Sequence, residues 1–120
     1  MPDATPRELY QYVATGGFCP FREWLHGLRD SRARAKIRIR LDRVKLGNLG
    51  DHHGLGGGLH ELRIDYGPGY RVYFGQDGES VILLLCGGDK SGQTQDIEEA
   101  RKLWAEYGRR RHDDASRLPA

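Results

Sequence analysis

Leu59-His60-Glu61-Leu62-Arg63-Ile64-Asp65-Tyr66, Gly67-Pro68-Gly69 and Tyr70-Arg71-Val72-Tyr73-Phe74, followed by Val81-Ile82-Leu83-Leu84-Leu85-Cys86, form the stretch on which the fold turns. Leu62, Ile64 and Tyr66 alternate with Glu61, Arg63 and Asp65, and Tyr70, Val72 and Phe74 alternate with Arg71 and Tyr73. A period of two predicts two half-buried strands. Gln76-Asp77-Gly78-Glu79 places an Asp-Gly pair, with its tolerance of positive φ, in a tight hairpin turn. The run from Val81 to Cys86 is apolar on both sides and predicts a buried central strand. If both turns close as simple hairpins, Asp65 faces Arg71 and Arg63 faces Tyr73, while Leu62, Ile64, Tyr66, Tyr70, Val72 and Phe74 line the opposite, apolar face. The polar face has two readings: a cross-strand salt bridge beside a half-exposed tyrosine, or a surface that binds anions.

Upstream, Met1 to Arg7 reads as a loose lead-in with Pro2 and Pro6, and Leu9 to Val13 as a short strand ended by Gly16-Gly17. Pro20 suits the first position of a helix running to about Arg29, with Phe21, Trp24, Leu25 and Leu28 as its apolar stripe. Asp30 and Ser31 can cap a second helix that runs to about Leu46 and stops at Gly47. Arg32, Arg34, Lys36, Arg38 and Arg40 alternate with Ala33, Ala35, Ile37, Ile39 and Leu41, as in a strand. A strand with five like charges on one side would repel itself, and Ala33, Ile37, Leu41 and Val44 keep helical spacing, so the helix is the expectation. The two helices then make a hairpin over the apolar face of the sheet.

Asn48 to Gly58 reads as a flexible glycine-rich connection. It carries His52 and His53, with His60 just beyond, but no cysteine or firmly placed carboxylate completes a metal set, and the glycines fit neither a GxGxxG nor a Walker pattern. No metal or cofactor is expected. After the central strand, Gly87 to Gln93 reads as a polar loop, and Thr94 as the cap of a third helix with Ile97, Ala100, Trp104 and Tyr107 on its apolar face, packed against the side of the sheet opposite the helical hairpin. Gly108 to Ala120 has no periodicity and is expected to be a disordered tail, so residues 1–108 form one domain and 109–120 a basic extension.

With 120 residues, the chain suits a single core. The net charge of +2 conceals clustering, since Arg32, Arg34, Lys36, Arg38, Arg40, Arg43 and Lys45 are opposed locally only by Asp42. That density suits a polyanionic or acidic partner. Two cysteines without metal or redox spacing predict free thiols and a cytoplasmic protein. The longest apolar run, from Val81 to Cys86, is far short of the roughly 20 residues needed to cross a bilayer, and no membrane partner is expected.

The chain has no nucleophile elbow, HExxH or P-loop. What remains is Arg63, Arg71, Tyr73 and Lys90 on adjacent strands and the following loop. Such a set suits phosphodiester cleavage without a metal: attack of an RNA 2′-hydroxyl builds negative charge on the phosphoryl oxygens, fixed cations stabilise it, and a tyrosine or lysine can move protons.

The order short strand, helical hairpin, three-stranded antiparallel meander and C-terminal helix defines an α+β fold. Together with Phe21-Arg22-Glu23-Trp24-Leu25, Glu61-Leu62-Arg63-Ile64, Gly69-Tyr70-Arg71-Val72-Tyr73-Phe74 and Leu85-Cys86-Gly87-Gly88-Asp89-Lys90-Ser91, this order resembles the RelE/ParE toxin superfamily, in particular its HigB-like addiction module killer branch. The resemblance covers roughly Leu9 to Tyr107 and implies a small RelE-like toxin of a type II toxin–antitoxin system, neutralised by a cognate antitoxin, with a higher-order complex of the two as a further expectation. It implies a ribosome-dependent mRNA endoribonuclease in which Arg71 and Lys90 match functional positions and Arg63 accompanies them. The histidine or arginine that some members carry after the last strand is absent; Asp89 and Lys90 stand there, which leaves the general acid unassigned. Arg34, Lys36, Arg38, Arg40 and Lys45 can hold RNA or the ribosome through phosphates, or else form a solvated face or the antitoxin's docking surface. The alternatives for the whole chain are a ParE-like inhibitor of DNA gyrase and an inactive antitoxin-binding module.

Overall fold

A computed structural model describes residues 5–120. Its sheet is built outward from β4 (Tyr70–Asp77) and β5 (Val81–Asp89), which pair antiparallel. β3 (Leu59–Ile64) and then β2 (His52–Gly56) continue the antiparallel order on one side. On the other side β1 (Glu8–Tyr12) joins β5 in parallel and β6 (Arg117–Pro119) closes the edge, giving the order β2-β3-β4-β5-β1-β6. The α+β class expected from the pattern is what the chain adopts. The lead-in expected for residues 1–7 lies partly outside the described residues.

Two helices cover one face of the sheet. α1 (Pro20–Gly27) starts with proline at its first position and buries Phe21 and Leu25. α2 (Ser31–Lys45) is capped by Asp30, whose carboxylate accepts from the backbone N–H of Arg32 at 2.9 Å and Ala33 at 3.3 Å, a cap that contributes about 1 kcal/mol. Ala33, Ile37, Leu41 and Val44 are buried, so helical spacing decides over the two-residue alternation of charge. They pack on Leu62, Ile64, Val72, Phe74, Ile82 and Leu84. Gly47 follows at φ +95°, and any Cβ there would strike the backbone of Thr5, so this glycine both ends the helix and admits the crossing N-terminal segment.

α3 (Gln93–Arg109) covers the other face through Ala100, Leu103 and Tyr107. A bulge in β5 prepares that contact: Tyr73 pairs with Cys86 but Phe74 with Leu84, so Leu85 is the additional residue, and both Leu85 and Cys86 turn toward α3. Two glycines admit indole rings against the strands. A Cβ on Gly75 would lie 2.2 Å from the Trp104 ring and one on Gly87 would lie 2.3 Å from the Trp24 ring.

Five expectations are corrected. Asn48 to Gly58 is not wholly a connection, because its middle forms β2 and pairs with β3 across a bulge at Gly54/Gly56. Gly87 to Asp89 continue β5, and only Lys90–Gly92 leave it, as a 3-10 turn capped by Asp89. Gly92, rather than Thr94, is the N-cap of α3. Asp77 pairs with Val81 across a three-residue loop in which Gly78, and not Asp77, has positive φ. The segment from Gly108 onward is ordered rather than a disordered tail: α3 runs to Arg109, the Val13 N–H donates to the Ser116 carbonyl at 2.9 Å, and β6 adds to β1. Polar contacts carry this segment in place of an apolar stripe, with Arg110 donating to the Tyr12 hydroxyl and the Val13 carbonyl, and Arg117 to the Tyr107 hydroxyl.

Candidate functional site

β3 and β4 place Arg63 directly opposite Arg71 and Glu61 opposite Tyr73. The expected pairs, Asp65 with Arg71 and Arg63 with Tyr73, are displaced by two residues because Asp65 to Gly69 form a longer loop, tied by the Tyr66 N–H to Ile64 and the Gly69 N–H to Tyr66. A two-residue shift preserves which face each side chain takes, so Arg63, Arg71 and Tyr73 still share the face toward α3. The salt-bridge partner changes from Asp65 to Glu61.

Glu61 organises the cluster. Its side chain is 1% exposed; one carboxylate oxygen accepts from Arg63 Nε at 2.9 Å and Arg71 Nη1 at 2.8 Å, and the other accepts from Gln93 Nε2 at 2.8 Å. Burial pushes the carboxyl upward, but the hydrogen bonds from Arg63 and Gln93 and the charges of Arg71 and Arg63 outweigh it and hold Glu61 below its ordinary value. The carboxylate therefore stays charged between two like charges that would otherwise repel across the strands. Arg63, with its side chain 39% exposed, keeps both terminal nitrogens without a partner among the described residues, and so does Arg71 Nη2.

Lys90 stands on the 3-10 turn after β5, exposed and close to Gly69. Asp89 fixes that turn by accepting from the Ser91 hydroxyl at 2.5 Å and its backbone N–H at 2.9 Å, contacts that lower the Asp89 pKa. Lys90, Arg71, Arg63, Asp65, Asp51 and the Gly67-Pro68-Gly69 loop line a cavity of about 370 Å³. A second cavity of about 380 Å³ shares Asp51, Arg63, Ile64 and Asp65 and continues to Lys36, Ile39, Arg40 and Arg43 of α2. The two form one basic groove that wraps the end of β3 where β2 no longer covers it, since β2 pairing stops at His52 with Leu62.

The five basic positions of α2 singled out from the sequence divide between its two flanks. Lys36 and Arg40 line the groove, joined by Arg43. Arg40 is fixed by donating to the Leu49 carbonyl at 2.5 Å and the Asp51 carbonyl at 3.2 Å, and burial followed by the nearby charge of Arg43 lowers its pKa. Arg34 instead donates to the Leu28 carbonyl, Arg38 lines a cavity with Phe21, Leu25 and His26 of α1, and Lys45 donates to the Ala120 carbonyl at 3.3 Å.

Tyr73 is withdrawn from the groove. Its ring is completely buried under α3 rather than half-exposed, so it presents no surface to the groove. Burial, followed by the charges of Glu61 and Asp96, pushes its hydroxyl well above the usual phenol range, the direction that keeps it protonated. The three histidines do not form a ligand set: the His52 and His60 rings lie 6.0 Å apart and His60 stacks on Phe74, while His53 pairs with Asp51 at 3.4 Å, and among the described residues no three His, Cys, Asp or Glu side chains are grouped to hold a metal. Cys19 and Cys86 are buried free thiols, and burial, then Asp96 and Glu99, pushes Cys86 up to about 12. No described helix is long and apolar enough to cross a membrane.

Sequence reading missed Glu61, Gln93, Arg43 and Asp51 as parts of the site. Two of them left a signal: Glu61 as a carboxylate on the same face of β3 as Arg63, and Arg43 as a member of the basic run along α2. Gln93 and Asp51 enter through tertiary placement that no local pattern encodes.

No family model matches the chain. An "Uncharacterized protein" of Haemophilus influenzae is 48% identical over 88 residues, which span 73% of this chain and 89% of that protein. At that identity and coverage, this chain belongs to the same family as the Haemophilus protein.

Proposed function

We propose that the groove binds the backbone of single-stranded RNA and promotes its cleavage, and that the protein is the toxin of a type II toxin–antitoxin pair, cutting messenger RNA at the ribosome until a cognate antitoxin covers it. The observation that carries this reading is the pairing of Arg63 and Arg71 beside Lys90, in a cavity that opens onto Lys36, Arg40 and Arg43. Cations of α2 lead a polyanion toward the two arginines, whose unpartnered nitrogens fit the oxygens of a phosphodiester. In the cleavage step the 2′-oxygen bonds to phosphorus and the bond to the 5′-oxygen breaks, leaving a 2′,3′-cyclic phosphate and a 5′-hydroxyl. Arg63 and Arg71 stabilise the charge that grows on the phosphoryl oxygens. The same groove holds Asp51 and Asp65 as acceptors for the 2′-hydroxyl proton and Lys90 as a donor to the departing oxygen.

The test is controlled induction of the wild type beside Arg63→Gln, a substitution at a partly exposed position, with transcript 5′ ends mapped in the same cultures and folding of the purified variant checked. Growth arrest with new cuts inside translated messages is expected for the wild type. The variant should lose about 10²-fold or more in cleavage, the usual result of removing one donor to a developing oxyanion. Arrest with intact messages and damaged DNA replaces this reading with gyrase inhibition, and unimpeded growth removes toxicity altogether.

A further inference from the structure

Arg63 and Arg71 come from neighbouring strands, face each other directly, and bond through separate nitrogens to one oxygen of one buried carboxylate. We infer that Glu61 is the positioning residue of the site: it fixes the two guanidinium groups as a preformed fork for a phosphoryl group, and Gln93 ties that fork to the start of α3. The inference rests on the cleavage reading above.

Which arginine nitrogens remain free follows from which are taken. Glu61 holds Arg63 by Nε, leaving its two terminal nitrogens available as a pair, and it holds Arg71 by Nη1, leaving Nη2. Arg71 Nε is buried and unbonded, so among the described residues the guanidinium has no second protein acceptor that would orient it if Glu61 were lost. The other oxygen of Glu61 is occupied by the Gln93 amide, which keeps the carboxylate from rotating. Glu61 is itself too buried to touch substrate, and its negative charge beside the groove opposes RNA binding. A residue that weakens ground-state attraction while fixing the groups that meet the developing charge acts on the rate, not on affinity.

That asymmetry gives the test. Glu61→Gln keeps the side-chain shape and an acceptor oxygen for both arginines but removes the charge, and it turns an N–H toward the N–H of Gln93. The exchanged pair Glu61→Gln with Gln93→Glu restores a donor–acceptor contact to α3, retains the total charge and moves the carboxylate off the arginines. Both variants are measured for single-turnover cleavage of a message on programmed ribosomes, for binding of a non-cleavable 2′-O-methyl single-stranded RNA, and for thermal stability. The exchanged pair keeps a neutral acceptor on Arg71 but not its counter-charge, so it is expected to melt below the wild type yet remain folded at the assay temperature, to bind the 2′-O-methyl RNA as tightly or more tightly, and to cleave on the order of 10²-fold more slowly, the scale of a misplaced catalytic group. If Glu61→Gln fails to fold, the exchanged pair decides alone. Wild-type cleavage by the exchanged pair overturns the inference and leaves the nuclease reading intact, as does a proportional loss of rate and affinity. A wild-type protein that leaves every message uncut overturns both.

Discussion

Arg63 and Arg71 occupy directly opposed positions on β3 and β4, and what makes this tolerable is a single carboxylate, Glu61, which lies within 2.9 Å of one and 2.8 Å of the other. The Arg71 side chain is 9% exposed, so it cannot turn to water for compensation. Replacing Glu61 by alanine leaves a buried guanidinium beside a second cation and is expected to cost about 3–5 kcal/mol, measured as the change in unfolding free energy in urea.

The same carboxylate gives the protein an acid limit. Its folded pKa lies below the ordinary 4.5, so the stability it contributes is fully present above about that pH and is lost as pH falls through the folded value. Urea midpoints followed from pH 7 to pH 3 should therefore fall more steeply below pH 4.5 in the wild type than in Glu61→Gln. Parallel curves would show that Glu61 is not the linked group.

The two flanks of α2 should separate in their response to RNA. Arg43→Gln, on the groove, is expected to weaken binding and to reduce the slope of log K against log salt by about 0.7, the amount for one single-strand phosphate contact. Arg38→Gln, on the α1 side, is expected to change neither. Fluorescence anisotropy at several salt concentrations measures both, and equal effects would place the RNA elsewhere.

Gly87 carries the Trp24 indole flat against β5, and a methyl group there has no room. Gly87→Ala should destabilise by about 1–3 kcal/mol, as overpacking does. Adding Trp24→Leu to Gly87→Ala should cost less than the two changes cost separately. A strictly additive double-mutant cycle would contradict the contact.

Asp77 holds the C-terminal region from β4, accepting from Tyr107 Oη at 2.7 Å and Arg111 Nη2 at 2.5 Å. Asp77→Ala is expected to lower stability by about 1–3 kcal/mol and to increase amide exchange in β6, while RNA affinity stays unchanged because the groove lies at the opposite end of β4. Hydrogen exchange read residue by residue distinguishes local loosening from global unfolding.

The parts of this molecule legible from sequence are those governed by local periodicity. Ala33, Ile37, Leu41 and Val44 specify the buried side of α2 despite a misleading alternation of charge, and the two-residue alternation of β3 and β4 specifies their faces. Registers were less legible, because the loop from Asp65 to Gly69 is longer than a simple hairpin turn; the even shift preserved the faces and exchanged the partners. β2 escaped notice because His52-His53-Gly54-Leu55-Gly56 has no β-branched residue and two glycines. β6 escaped because Arg110 and Arg117 hold its segment through specific polar contacts, which leave no hydrophobic period. In the site, Arg63, Arg71 and Lys90 stand together as their strand positions implied, whereas the burial of Tyr73 depends on where α3 lies.

β1 lies between β5 and β6, so both of its hydrogen-bonding edges are satisfied by segments translated long after it: Glu8 pairs with Val81 and Tyr12 with Arg117. At about 5–20 residues per second, the first strand leaves the ribosome several seconds before either neighbour exists. The nascent chain can wind α2 and fold the β3–β4 hairpin early, but Tyr10 and Tyr12 wait without a sheet. β1 is thus paired only after both β5 and β6 have been made, and the strands on its two sides join through a segment that had to wait for them.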